Sequence, residues 1–296
     1  MSARDLIDIY RVKELTKETE IYGIIGNPVS HSLSPYIHNP AFKEMGIDAV
    51  YIPFEVSNLD EFVKRMVRPE TREIDWNLQG FSVTAPHKES ILKHLDFIDN
   101  AAEKIGAVNT VKIVDNRLCG FNTDAEGFIE PLRKNFGDLK NARAGIIGNG
   151  GAARACLYAL KNDGAEVTII ARDTERGNAL ANEFEAGFFK LDQNENAFPE
   201  FDILINASPL GTYGKLEDQT PIAADRLSNL QLAYDLVYNP FETRFLREAK
   251  SKGVKTIGGF EMLIAQAARQ FEIWTGSKAP ADKFAETALL RLKESK

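Results

Sequence analysis

The run Ala144-Gly145-Ile146-Ile147-Gly148-Asn149-Gly150-Gly151-Ala152-Ala153-Arg154 is a short apolar segment that breaks into glycines and opens directly into a helix-forming stretch. It reads as the phosphate-binding turn of a strand–turn–helix unit. Gly148 lets the chain turn tightly off the strand, Gly150 has no side chain to hold a pyrophosphate off the backbone, and Gly151 and Ala152 allow close packing of helix on strand. The N–H groups and the dipole at the helix start then face the phosphates. A second strand, 165–170, follows a helix ending at Asp163-Gly164 and stops at Ala171-Arg172-Asp173. That is roughly 20 residues beyond the turn, where such folds read the adenosine ribose. About 140 residues precede the turn, so another part of the chain must hold the substrate.

With 296 residues, 44% of them hydrophobic, the chain is long enough for two domains with full cores. A net charge of −7 argues against nucleic acid or an anionic membrane as the main partner, since both need a basic face. No apolar run approaches the ~20 residues of a membrane span, and Met1-Ser2-Ala3-Arg4-Asp5 lacks a signal-peptide core, which predicts a cytoplasmic protein. Cys119 and Cys156 form neither a disulfide framework nor a metal-ligand pattern and read as packing residues. His31, His38, His87 and His94 contain no i,i+4 pair, and no metal is expected.

Outward from the glycine turn, strand-length apolar runs alternate with helical patterns. The N-terminal part reads strand 21–26, helix 34–46, strand 49–55, helix 59–67, strand 78–83, and helices near 88–95 and 100–105. Strands 110–114 and 118–121 then form a hairpin around Asp115-Asn116-Arg117. Helix 124–135 crosses into the second domain, where strands 144–147, 165–170, 203–206, 232–235 and 256–257 alternate with helices, including 174–185 and 243–251. Two amphipathic helices, 262–275 and 283–293, follow Gly258-Gly259, and the first domain is their expected partner. The fold class is α/β: an N-terminal, mostly parallel α/β substrate domain (1–124 plus 260–296) and a Rossmann-type doubly wound dinucleotide domain (125–259).

Four segments are polar where a buried strand end should be apolar: 26–35, 81–88, 106–110 and 120–124. In an open α/β sheet the carboxyl ends of the strands form the ligand crevice, and together these segments suit a polyol. Ser32, Ser34, Thr84 and Asn109 offer hydroxyl and amide partners, while Lys88 and Asp124 supply one cation and one anion. Each has a plainer alternative. Ser34 before Pro35 and Asp124 before its helix also read as helix caps, and Lys88 as a solvated lysine.

Read together, the motifs resemble the shikimate dehydrogenase family over nearly the whole chain. The resemblance rests on Ser32-Leu33-Ser34-Pro35, Val83-Thr84-Ala85-Pro86-His87-Lys88, Gly106-Ala107-Val108-Asn109-Thr110, Asn122-Thr123-Asp124, the segments 206–211 and 235–240, and Gly258 to Ala268. It implies Lys88 and Asp124 as the catalytic pair, with Ser32, Ser34, Thr84, Asn109, Thr123, Tyr238, Gln266 and Gln270 as substrate contacts. It further implies that Gly148, Asn149, Gly150, Gly151, Ala152, Arg172, Asp173 and Arg176 hold NADP(H). Ser208, Val237, Gly259 and Met262 would then lie near its nicotinamide. The expected reaction is reversible hydride transfer between NADPH and 3-dehydroshikimate. Two departures stand out: Ser82 where many members have Asn, shortening one polar reach beside the substrate, and Asn149 in place of a common Ala.

The same scaffold leaves alternatives: an NAD(P)-dependent quinate/shikimate dehydrogenase, or a non-catalytic sensor of pathway metabolites. For the cofactor, Arg172 and Asp173 point opposite ways, arginine toward a 2′-phosphate and the acid toward ribose hydroxyls. Arg154, Arg172 and Arg176 outweigh Asp173, so NADP is expected, less sharply than in relatives with Thr at that position, and Asp173 must be held aside or paired with Arg176. Phosphates in one domain and polyol in the other predict closure of the domains on the substrate. Residues 5–19 resemble the junction after the dehydroquinase half of bifunctional relatives, so the chain is expected to be a free-standing relative or an excised domain, with a merely extended N-terminal tail as the plainer alternative; separately, a monomer or homodimer is expected.

Overall fold

The computed structural model describes residues 7–191 and 198–294. Asp5 and Leu6 of the N-terminal stretch lie outside them. The chain divides into two compact units, Met1–Thr123 with Ala267–Lys296, and Asp124–Gln266. The first crossing falls one residue before the expected one, and the second falls within a continuous helix rather than at its start. No helix of the described residues is long and apolar enough to cross a membrane.

The first unit is built on a six-stranded sheet of order β2-β1-β3-β5-β6-β4. Its strands are β1 (Glu20–Gly26), β2 (Ala49–Glu55), β3 (Leu78–Val83), β4 (Phe97–Ile98), β5 (Thr110–Val114) and β6 (Arg117–Phe121). β1 lies between two parallel neighbours. A strand covered on both faces should be apolar throughout, and Ile21, Tyr22, Ile24 and Ile25 satisfy this. The hairpin predicted around 115–117 turns on Asp115 and Asn116, both left-handed at φ 49° and 63°, as a two-residue loop joining twisted strands requires. Helices α1 (Ser34–Glu44), α2 (Leu59–Phe62) and α3 (Asn100–Ile105) connect the strands. The helix expected over 59–67 changes at Val63 into a wider π turn, Val63–Val67, in which the Arg68 N–H reaches back to the Val63 carbonyl at 2.9 Å.

Two apolar layers enclose this sheet. One contains Ile25, Phe62, Phe81, Ile91, Val108 and Val111. The other is aromatic: Tyr22, His38, Phe42, Tyr51, Phe271, Trp274 and Phe284 pack in one cluster of stacked, tilted and edge-on rings. His38 is fully buried there, 4.6 Å from the Tyr51 ring, and burial pushes its pKa down to about 3, so it packs as a neutral ring. The N-terminal segment is docked on this unit: Tyr10 is buried, and the Thr19 hydroxyl bonds both Asp48 carboxylate oxygens.

The second unit is a parallel six-stranded sheet of order β12-β11-β10-β7-β8-β9. Its strands are β7 (Arg143–Ile147), β8 (Glu166–Ala171), β9 (Gly187–Lys190), β10 (Ile203–Asn206), β11 (Leu232–Asp235) and β12 (Lys255–Ile257). From β7 the chain winds outward through β8 and β9, then returns to the other side of β7 and winds outward through β10, β11 and β12. The reversal between β7 and β10 is the switch point at which doubly wound sheets bind ligands. Helices α4 (Asp124–Phe136), α5 (Gly151–Asn162), α6 (Thr174–Glu183) and α7 (Arg244–Ser251) cover the sheet. α8 (Gly259–Thr275) runs from this unit into the first, where α9 (Ala281–Glu294) packs on α1.

Candidate active site

Because β5 is antiparallel to β3 and β6, one edge of the first sheet gathers the carboxyl ends of β1, β3 and β6 and the amino end of β5. The four polar segments all meet that edge. Ser34 is not the cap of α1: Leu33 holds the N-cap position without a side-chain bond, Ser34 is the first helical residue, and the Ser32 hydroxyl accepts the Ser34 N–H at 3.2 Å. The Thr84–Lys88 turn is pinned by the His87 N–H on the Thr84 carbonyl (2.9 Å) and by the buried His87 ring, whose Nε2 lies 2.6 Å from the Val56 carbonyl.

Asn109 ties these corners together. Its carbonyl accepts the Val83 N–H at 2.8 Å, its Oδ1 accepts the Thr123 N–H (2.9 Å) and the Thr110 hydroxyl (2.8 Å), and its Nδ2 donates to the Thr123 hydroxyl at 2.9 Å. Next to it, the Val108 N–H holds the Lys88 carbonyl at 2.8 Å. Lys88 and Thr123 are therefore anchored through neighbouring residues of one segment. Asp124, only 4% exposed, follows Thr123 directly as the first residue of α4.

Two residues at this edge have internal partners. Ser82, read as a departure that shortens a polar reach beside the substrate, is buried; it accepts from the Tyr51 hydroxyl (2.6 Å) and donates to Gln270 Oε1 (2.9 Å). Gln270, read as a substrate contact, is 2% exposed, and its Nε2 donates to the Asn109 carbonyl at 3.2 Å. Both ends of its amide have internal partners, which places Gln270 beneath the Asn109 corner as its support. Tyr51 was not singled out in the sequence, since only the tertiary fold brings its hydroxyl to Ser82. Tyr238 is half-buried in the second unit, and the Gln266 Nε2 donates to the Leu263 carbonyl at 2.8 Å.

In the second unit the glycine turn leaves β7 beside the switch point. Gly148 has φ +125°, and a Cβ there would lie 2.9 Å from the Ala207 carbonyl oxygen, so only glycine fits. Gly150 is the N-cap of α5 with no side-chain cap, and a Cβ built on it meets nothing within 4 Å. Backbone donors at a helix start, facing open space, are what a pyrophosphate needs, so the residues present fit a dinucleotide. At the end of β8, Arg172 is exposed, with no hydrogen bond or ion pair from its guanidinium to the described residues. Asp173 is held aside as the N-cap of α6, accepting the Arg176 backbone N–H at 3.1 Å. Arg154, expected to add positive charge, instead pairs with Glu183 and lies over the Phe184 ring. Its charge is compensated there; of the three arginines, Arg172 and Arg176 are exposed.

On the other side of the switch point, the buried Asp235 carboxylate accepts three hydrogen bonds: Thr243 hydroxyl (2.5 Å), Asn206 Nδ2 (2.9 Å) and Val237 N–H (3.0 Å). Gly259 is required by close approach, since a Cβ would fall 2.3 Å from the Leu236 carbonyl oxygen. Met262 is buried, and the Ser208 hydroxyl donates to Asn206 Oδ1 at 2.7 Å. Burial pushes the Asp235 carboxyl up to about 6, against the pull of its three donors. A raised acid favours the protonated form of the folded chain, so the stability this group contributes is fully present below about 4 and is lost as pH rises through about 6. Asp235→Asn, which does not ionise, is expected to lack this dependence. Melting temperature against pH should show the natural chain gaining on the variant by on the order of 3 kcal/mol on acidification across that window. A constant difference between the two would contradict it.

Fold and site together define a two-domain α/β protein with a Rossmann-type dinucleotide unit and a polar substrate unit. Family profiles match in three parts: shikimate dehydrogenase substrate binding domain over residues 24–111, shikimate/quinate 5-dehydrogenase over 130–218, and shikimate 5′-dehydrogenase C-terminal domain over 259–289. The chain is 42% identical over 271 residues to the NADP(+) shikimate dehydrogenase of Methanococcus aeolicus, covering 89% of this chain and 95% of that one. It is 38% identical to the bifunctional chloroplastic 3-dehydroquinate dehydratase/shikimate dehydrogenase of Arabidopsis thaliana, covering 95% of this chain and 48% of that one. The crystal structure of the Thermus thermophilus shikimate 5-dehydrogenase with NADP(H) and shikimate superposes with a TM-score of 0.79 at 37% identity, covering 92% of this chain and 99% of that one. The chain belongs to the shikimate dehydrogenase family.

Proposed function

We propose that this chain catalyses the reversible NADP-dependent reduction of 3-dehydroshikimate to shikimate, in the cytoplasm, as a step of chorismate and aromatic amino acid biosynthesis. The observation that carries the reading is the Val108–Asn109 segment, which anchors Lys88 and Thr123 at one sheet edge, beside the residue that begins α4. Bound NADPH supplies the hydride. The Lys88 ammonium hydrogen-bonds the substrate carbonyl oxygen, stabilises the negative charge that develops on it, and delivers the proton that makes it a hydroxyl. Asp124 orients Lys88 and shares its proton. Ser32, Ser34, Thr84, Asn109, Thr123, Tyr238 and Gln266 recognise the hydroxyls and carboxylate of the ring, with Gln270 supporting Asn109.

Cofactor choice falls on Arg172 and Arg176, because the Asp173 carboxylate is occupied at the start of α6. Steady-state kinetics with shikimate and quinate, each with NADP+ and NAD+, test the assignment. The highest kcat/KM is expected for shikimate with NADP+. A higher value for quinate, or for NAD+, would replace this reading with that of a quinate/shikimate dehydrogenase.

A further inference from the structure

The buried hydrogen-bond cluster centred on Asp235 lies at the end of the second sheet where the proposed reaction would take place. Asn206 and Asp235 are the last residues of β10 and β11 and sit side by side in register. One oxygen of the carboxylate takes Asn206 Nδ2 and the Val237 N–H, and the other takes the Thr243 hydroxyl. Each donor belongs to a different segment. Asn206 Nδ2 also donates to the Leu210 carbonyl (3.0 Å), and its Oδ1 accepts the Ser208 N–H (3.1 Å), closing the 206–210 loop. Val237 opens the turn after β11. Thr243 caps α7 by accepting the Leu246 N–H at 3.3 Å. Asn206, Asp235 and Thr243 are all fully buried, and such a network is rigid only while every member is satisfied.

The strand order gives this cluster a direction. The phosphate turn leaves β7, and Arg172 stands at the end of β8 on one side, so the adenosine half of a dinucleotide lies over β8. The other half then extends over β10 and β11, one and two strands away, or about 5 and about 10 Å across the sheet. The Ala207 backbone already abuts Gly148 at the turn. We propose that Asp235 is a positioning residue for the nicotinamide half of the cofactor, holding the 206–210 loop, the Val237 turn and the start of α7 as one rigid lip. The inference rests on the dinucleotide reading given above and deepens it. At neutral pH, above its raised pKa, the ionised group accepts all three donors at once. An asparagine would have to turn its amide nitrogen toward Thr243, reversing that bond and leaving the hydroxyl proton without its acceptor.

Calorimetric titration of the full chain with NADP+ and with adenosine 2′,5′-bisphosphate, which lacks the nicotinamide half, tests this. Asp235→Asn should bind NADP+ about tenfold more weakly while its affinity for the bisphosphate is unchanged. Thr243→Val, which removes one donor and leaves the carboxylate, should show the same selective loss to a smaller degree, and it decides the matter alone if Asp235→Asn does not fold. Equal losses for both probes would mark Asp235 as a structural residue only, and no loss for either would remove it from cofactor positioning; each result overturns the inference. A natural chain that binds neither probe would overturn the dinucleotide reading itself, an outcome distinct from an unselective loss confined to the variants.

Discussion

In Lys88→Ala, kcat is expected to fall by about 10²–10⁴-fold with a much smaller change in KM for shikimate, the contribution of a positioned proton donor. The split follows from when the interaction strengthens. A ground-state carbonyl is a modest acceptor, whereas the oxygen receiving hydride charge is a strong one, so the ammonium contributes mainly in the transition state. Asp124→Asn should lower kcat in the same way, because the amide preserves shape but can neither share the proton nor orient a cation by charge. The double variant should be scarcely worse than either single one, as expected of residues acting as a unit. Additive losses would separate Asp124 from Lys88, and near-natural kcat in Lys88→Ala would remove Lys88 from the chemistry.

Arg172→Ala is expected to raise KM for NADP+ by about 10–100-fold, the loss of a charge-assisted pair with the 2′-phosphate, while leaving KM for NAD+ nearly unchanged. The exposed guanidinium at the end of β8 supports this, and Arg154 cannot compensate because Glu183 holds it. The N-cap at Asp173 refines the expectation for Asp173→Thr. Threonine also caps helices, so α6 should keep its start while a negative charge leaves the phosphate site, widening the preference for NADP+. Equal effects of Arg172→Ala on both cofactors would assign the phosphate to Arg176.

The parts of this architecture governed by local rules were legible in the sequence. The glycine turn at 148–152 follows from left-handed φ and close approach, and the hairpin from Asp115-Asn116. The alternation of apolar runs located the longer strands to within a residue or so. Phe97–Ile98 and Gly187–Lys190 escaped because two and four residues at sheet edges carry no readable periodicity. The helix expected over 88–95 is a 3₁₀ turn at Ser90–His94: the Lys88 carbonyl is taken by the Val108 N–H, a partner that helical periodicity does not reveal.

In the candidate site, the polar corners were visible as hydrophilic strand ends, but the bonds beneath them were not. Ser82 meets Gln270 across 188 residues and Asn206 meets Asp235 across 29, so only the completed sheets create those pairs. Ser82 illustrates the cost of reading a residue singly: its hydroxyl is spent on Tyr51 and Gln270, and Gln270 in turn donates to the Asn109 carbonyl. Arg154 is a similar case, since its charge counts in the sequence but is matched by Glu183 in the fold.

The most direct test of the account is to mix the purified chain with shikimate and NADP+ and follow the absorbance of reduced nicotinamide. Steady production of NADPH that requires both compounds, and that falls sharply in Lys88→Ala, is the predicted result. Binding of shikimate and NADP+ without any NADPH formation would contradict it and make the chain a metabolite sensor on a dehydrogenase scaffold.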